Sequence, residues 1–210
     1  MDSSVTILQL VIVFGILIIS VVLHEIMHGL VAHKLGDDTA KLSGRLTLNP
    51  LNHIDPFATI LLPLVLVTLG LPPFGAAKPV PVDYRRLKYG DAGMAIVAIS
   101  GPLTNLGIAA IFGAILRLSP SLLGTATGEV VRLFIQVNLS FFVFNMIPFP
   151  PLDGSRLLYA LAPEPVQNFM RYIESMGLAA IVIFMLVIFP LLRPTMIESV
   201  LWLQRVLIGI

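Results

Sequence analysis

Residues 5–32 read VTILQLVIVFGILIISVVLHEIMHGLVA, and this stretch decides which kind of fold the chain can adopt. It is longer than the about 20 apolar residues that a helix needs to cross a bilayer. Its ionisable side chains are His24, Glu25 and His28. Because a charge at bilayer depth costs about 2.5–3.5 kcal/mol, these side chains need a compensating interaction. A bound metal ion would supply it, and a polar seam between helices is the alternative.

The segment His24-Glu25-Ile26-Met27-His28 has the HExxH spacing of zinc hydrolases. On a helix, side chains four residues apart lie on one face, so both imidazoles can bind one ion. Glu25 can then reach a water bound to that ion. Catalytic zinc usually has three protein ligands, and a chain without cysteine must supply nitrogen or oxygen. The candidates for the third ligand are His33, which faces another side of the helix, His53, Asp55 and Asp153.

The composition agrees with a membrane protein. Hydrophobic residues make up 57% of the 210-residue chain and charged residues 12%, against about 25% in soluble domains. These values exclude a soluble globular domain, a disordered chain and a nucleic-acid binder. Residues 92–116, 130–147 and 173–192 are further predicted spans. Residues 195–210 are either a tilted span or an interfacial helix, and residues 57–71 are a short apolar stretch with Pro63 near its middle.

The prediction is therefore an all-α polytopic membrane protein of about five to six membrane helices. One membrane domain covers residues 1–210, with a core at about 5–160 and C-terminal helices at 165–210. Residues 44–91 are rich in turn residues and predict a short re-entrant or β-hairpin region between the first and second full spans. Seven of the 13 Lys and Arg lie between those spans, which places this region at the cytoplasmic face.

Residues 145–154 read NMIPFPPLDG and end the predicted third span. Pro148, Pro150 and Pro151 stop the helix and force extended backbone. Asp153 and Gly154 then turn the chain into another helical stretch. From the residues alone, Asp153 is either a helix N-cap or a side chain that returns to the histidines.

At this point the chain resembles the site-2 protease family of intramembrane zinc metalloproteases, in a compact form without a PDZ or CBS domain. The resemblance rests on HExxH at 24–28, on the run at 145–154, and on Gly101-Pro102-Leu103-Thr104-Asn105. It covers roughly residues 20–160. It implies one Zn²⁺ per chain, held by His24, His28 and Asp153. It also implies Glu25 as the general base and Asn145 as a contact to the substrate or the transition state.

The expected function is hydrolysis of peptide bonds within or near the transmembrane helix of a membrane-protein substrate. His53, Asn105, Gly101 and Pro102 are predicted supporting residues, although Gly101-Pro102 is also explained by a plain kink and Asn105 by a bond between helices. The expected setting is a bacterial plasma membrane, with the active site near the cytoplasmic face. A homo-oligomer or an accessory membrane protein is compatible with this function. The alternatives are a catalytically silent scaffold or chaperone and a metal transporter.

Overall fold

The computed structural model describes residues 7–61, 68 and 77–209, and its described residues form helices and turns with no strand among them. Within these residues, four helices are long and apolar enough to cross a membrane. They are α1 (Ile7–Lys34), α2 (Gly90–Leu118), α3 (Ala126–Asn145) and α6 (Leu178–Ile208). Two shorter helices, α4 (Asp153–Leu161) and α5 (Glu164–Ser175), connect α3 to α6.

The first three long helices lie where the sequence predicts spans, at residues 5–32, 92–116 and 130–147. The segments predicted at 173–192 and 195–210 are not separate helices, because residues 178–208 form the continuous α6. The wider π-helical turn Phe184–Ile188 ends two residues before Pro190 and accommodates a residue that has no N–H to donate. The predicted count of five to six spans is therefore not confirmed.

Helix α2 lies at the centre of the bundle and packs against α1, α3, α4 and α6. Leu116 of α2 and both Ile135 and Leu139 of α3 are fully buried at the α2–α3–α6 contact. At Gly113 a Cβ atom would lie 2.9 Å from the Cβ of Leu207, so α2 and α6 approach closely at a small residue. Such close packing is what holds helices together in lipid, which is itself apolar.

The connection between α1 and α2 is built of short helical turns and extended segments. The guanidinium of Arg45, which is buried, donates to the carbonyls of Asn52, Lys78 (2.6 Å) and Pro79 (3.1 Å), and so joins residues 44–53 to residues 77–80. The predicted hairpin is not confirmed in the described part of this connection. Most of the predicted re-entrant stretch at 57–71 lies outside the described residues.

Candidate metal centre

Three side chains from two distant parts of the chain converge beside α2. The His24 Nε2 atom lies 3.1 Å from Asp153 Oδ2 and 3.0 Å from His28 Nε2. The His28 Nε2 atom lies 3.4 Å from the same carboxylate oxygen. In the described part of the chain, His24, His28 and Asp153 form the group of three that could hold a metal ion, with ligand atoms within 4.8 Å of one another. Of the four candidates for the third ligand, the structure thus brings Asp153 to the histidines.

The far side of each imidazole is already hydrogen-bonded. The His24 Nδ1 atom lies 2.6 Å from Asn105 Oδ1, and the His28 Nδ1 atom lies 2.8 Å from the carbonyl oxygen of Val97. Because a carbonyl oxygen can only accept, Nδ1 carries the proton in both rings. The Nε2 lone pairs therefore point to the shared space between the three side chains, which is the arrangement of zinc-bound histidines.

A network of hydrogen bonds inside the bundle fixes the orientation of the Asn105 amide. Its Nδ2 donates to the Ser20 carbonyl (3.3 Å) and to Asn138 Oδ1 (2.9 Å), and Asn138 Nδ2 donates to the Phe134 carbonyl (2.9 Å). The two backbone carbonyls can only accept, so both amides must present their NH₂ groups to them. This leaves Asn105 Oδ1 facing His24. Asn105 and Asn138 are fully buried.

Gly101 provides the space next to the two imidazoles. A Cβ atom at this position would lie 2.6 Å from His24 Nε2 and would also overlap His28 Nε2. Any larger residue would therefore push into the atoms that would bind a metal. The neighbouring Pro102 is fully buried within α2. The absence of a side chain at Gly101 thus leaves room for the two Nε2 atoms.

The turn after α3 brings Asp153 back to the bundle. Asp153 is the first residue of α4, Leu152 holds the N-cap position, and no side chain caps this helix. At Gly154 a Cβ atom would lie 2.8 Å from the carbonyl oxygen of Ile147, so glycine allows the tight return. Burial raises the pKa of the Asp153 carboxyl, but the neighbouring His24 and His28 imidazoles outweigh burial and lower it to about 2. The carboxylate is thus ionised at neutral pH, as a metal ligand must be.

Glu25 is half-buried, and the connection between α1 and α2 holds its carboxylate. Its Oε2 atom accepts a hydrogen bond of 2.9 Å from the backbone N–H of Val80. The carbonyls of the two residues before Val80 accept from Arg45. Arg45 therefore fixes the backbone that in turn fixes Glu25.

The other predicted residues lie in other surroundings. His53 is buried, and its Nε2 lies 2.9 Å from the Thr47 carbonyl, so it supports the connection between α1 and α2. His33 pairs with Asp38 at 2.5 Å on the surface. Asn145 donates to the Phe141 carbonyl of its own helix at 3.0 Å, and in the described residues no hydrogen bond links it to the three converging side chains.

Zinc fits this set of donors. Two imidazole nitrogens and one carboxylate oxygen are ligands that Zn²⁺ accepts, and three protein ligands leave a position open for water. Both imidazoles are also held by partners on the far side, as tight zinc binding requires.

Sequence reasoning missed Asn138, the Val97 carbonyl and the Val80 N–H. Asn138 carried a usable signal, because an amide in an apolar helix is costly unless it is bonded, and it lies seven residues, or two turns, before Asn145. The two backbone groups carry no side-chain signal. Only the fold reveals them.

Comparison with known proteins places the chain among bacterial relatives. It is 43% identical over 182 residues to a Bacillus subtilis protein named "Putative zinc metalloprotease YwhC", covering 83% of this chain and 79% of that protein. Two proteins named "Putative zinc metalloprotease Rip2" are also similar. The one from Mycobacterium tuberculosis H37Rv is 30% identical, over 85% of this chain and 66% of that protein. The one from Mycolicibacterium smegmatis is 29% identical, over 88% and 70%. No family model and no solved structure matches the chain.

Proposed function

The chain belongs to the same family as the bacterial proteins named putative zinc metalloproteases, YwhC and Rip2, and from this premise we propose that it is an intramembrane endopeptidase of the site-2 protease family. The observation that carries the proposal is the convergence of His24, His28 and Asp153 inside a bundle of helices long enough to cross a membrane. A soluble metalloprotease would not need to bury this group among apolar spans.

The three side chains would hold one Zn²⁺, His24 and His28 through Nε2 and Asp153 through a carboxylate oxygen. When bound there, zinc would lower the pKa of its bound water to about 7 and would polarise the scissile carbonyl. Glu25 takes the proton from the attacking water on its carboxylate and passes it to the leaving amine. Asn145 contributes a hydrogen bond to the substrate or the transition state once a substrate is in place.

The substrate class follows from the surroundings of the site. We propose that it is a membrane protein cleaved within or near a transmembrane helix. The peptide bonds of such a helix are internally hydrogen-bonded, so a local stretch must unwind before attack. A bacterial plasma membrane, with the site near the cytoplasmic face, is the proposed location. An oligomer of this chain or an accessory membrane protein is compatible with the proposal.

The decisive experiment compares wild type with Glu25→Gln, purified in detergent. Bound zinc is measured, and both proteins are tested on a panel of single-span substrates. We expect about one zinc in each, with cleavage lowered about 10²- to 10⁴-fold in the variant because the general base is lost. Equal cleavage by both proteins would contradict the role of Glu25. If both proteins bound zinc and wild type cleaved no substrate, a silent scaffold or chaperone would be favoured. If proteoliposomes showed zinc flux that Glu25→Gln left unchanged, a metal transporter would be favoured.

A further inference from the structure

Helix α5 is too short to cross a membrane, with 12 residues against the about 20 required, yet its outer surface carries large apolar side chains. Phe169 and Tyr172 are 61% and 66% exposed. At about 100° per residue, the side chains of α5 divide into three sectors around the helix axis. Each sector has a different chemical character.

The first sector faces the protein. Met170 is 5% exposed, and Gln167 donates to the carbonyls of Tyr159 (3.0 Å) and Ala162 (3.2 Å). Glu174 accepts from both terminal nitrogens of Arg156, which is on α4. Helix α5 is thus attached to α4 chiefly through polar groups.

The other two sectors face outward, one polar and one apolar. Asn168, Arg171 and Ser175 form the polar sector, and all three are exposed; Arg171 also donates to the Tyr159 hydroxyl of α4. Phe169 and Tyr172, together with Pro165, form the apolar sector. The polar sector lies roughly a quarter of a turn from each of the other two, so α5 has one side that contacts protein, one polar side and one apolar side.

The apolar sector of α5 is followed by an exposed apolar surface on α6. Gly177 turns the chain sharply with a φ of 56°, and α6 begins at the next residue. Leu178, Val182 and Leu186 then form one exposed stripe, at 58%, 50% and 52%. Because α6 is long and apolar enough to span the membrane, this stripe faces lipid. A bilayer that covered this stripe would reach the level of α5.

We propose that α5 lies in the plane of the membrane–water interface, with Phe169 and Tyr172 inserted among the lipid acyl chains and Asn168 and Ser175 in water. Tyrosine is typical of this boundary, since its ring is apolar and its hydroxyl can stay hydrated. The consequence concerns Asp153. It lies one turn before Arg156 on α4, and α5 holds Arg156, so the interface helix sets the depth of the predicted metal ligand.

The inference does not rest on the proposed function and is tested without zinc or substrate. Because the chain has no cysteine, single cysteines can be introduced at Phe169, Tyr172, Asn168 and Ser175, spin-labelled, and placed in phosphatidylcholine–phosphatidylglycerol nanodiscs. Collision with oxygen and with a nickel chelate gives the depth of each label. Leu186→Cys is the lipid control on α6, and Ser43→Cys, in the exposed connection after α1, is the water control.

We expect labels at 169 and 172 to lie about 5–10 Å below the head groups, with high oxygen and low nickel collision. Labels at 168 and 175 should resemble the water control. High nickel collision at all four positions would overturn the proposal, because α5 would then lie in water. Low collision of both reagents at 169 and 172 would also overturn it, because the apolar sector would then be covered by protein.

Discussion

At the scale of single residues, the candidate metal centre depends on groups that would not themselves bind the ion. Asn105 and the Val97 carbonyl hold the two imidazoles in the tautomer that presents Nε2. Gly101 leaves the space that these nitrogens share. Two substitutions separate these contributions.

Gly101→Ala should abolish zinc binding and activity together. The added Cβ would lie 2.6 Å from His24 Nε2, so the ligands would have to move by more than a zinc site tolerates. Gly107→Ala is the matched control, since it lies on the same helix and its Cβ would meet nothing within 4 Å. That control should gain up to about 1 kcal/mol in helix stability. Zinc content by mass spectrometry and a thermal melt measure both effects, and normal zinc in Gly101→Ala would show that the crowding is tolerated.

Asn138→Leu should weaken zinc binding about 10- to 100-fold, although Asn138 touches no proposed ligand. Without the Asn138 Oδ1 atom, the Asn105 amide loses one of the two acceptors that orient it toward His24. Gln136→Leu is the control, because it removes an amide from the exposed side of the same helix. Competition with a chelator measures the affinity. If the two variants bound zinc with equal affinity, Asn138 would not support the site.

At the scale of helices and connections, the sequence predicts features that arise within one segment. It does not predict features that depend on contacts between segments. The apolar stretches predict α1, α2 and α3, because composition alone limits what a bilayer can hold. The HExxH spacing predicts the pairing of His24 with His28, because helix geometry is local. The continuity of α6 through Pro190 was not predicted, since it depends on a π-helical turn. The support from Val97 and Val80 comes from backbone groups, which any residue carries.

Arg45 acts at this scale, because it joins two parts of the connection between α1 and α2. In Arg45→Met, the carbonyls of Lys78 and Pro79 lose a charged donor, at a local cost of about 1.5–3 kcal/mol per bond. Residues 77–80 should loosen, and the Val80 N–H should exchange faster by hydrogen–deuterium exchange while zinc content stays normal.

The control for Arg45 is Arg85→Met, since the Arg85 side chain is 92% exposed. Exchange at Val80 should be unchanged in this control. If Arg45→Met also left exchange at Val80 unchanged, the proposed route from Arg45 to Glu25 would be wrong.

At the scale of the whole molecule, charge is distributed unequally between the two ends of the bundle. The metal centre lies toward the end of α1, the beginning of α2 and the end of α3, so the connections there share one side of the membrane. Nine of the 13 Lys and Arg lie at that end: Lys34, Lys41, Arg45, Lys78, Arg85, Arg86, Lys88, Arg156 and Arg171. The other end has Arg117, Arg132 and Arg205, and Arg193 lies midway along α6. Positively charged connections are retained in the cytoplasm, so this asymmetry favours a cytoplasmic metal end.

This orientation predicts which connections a membrane-impermeant maleimide can reach. Ser121 lies between α2 and α3, and Ser43 lies between α1 and α2; both are exposed. In intact spheroplasts, Ser121→Cys should be labelled, whereas Ser43→Cys should be labelled only after permeabilisation, with a difference of about tenfold or more. The cysteine-free wild type is the control for background. The reverse pattern would place the metal end outside the cell, and substrates would then have to reach the site from the outer half of the bilayer.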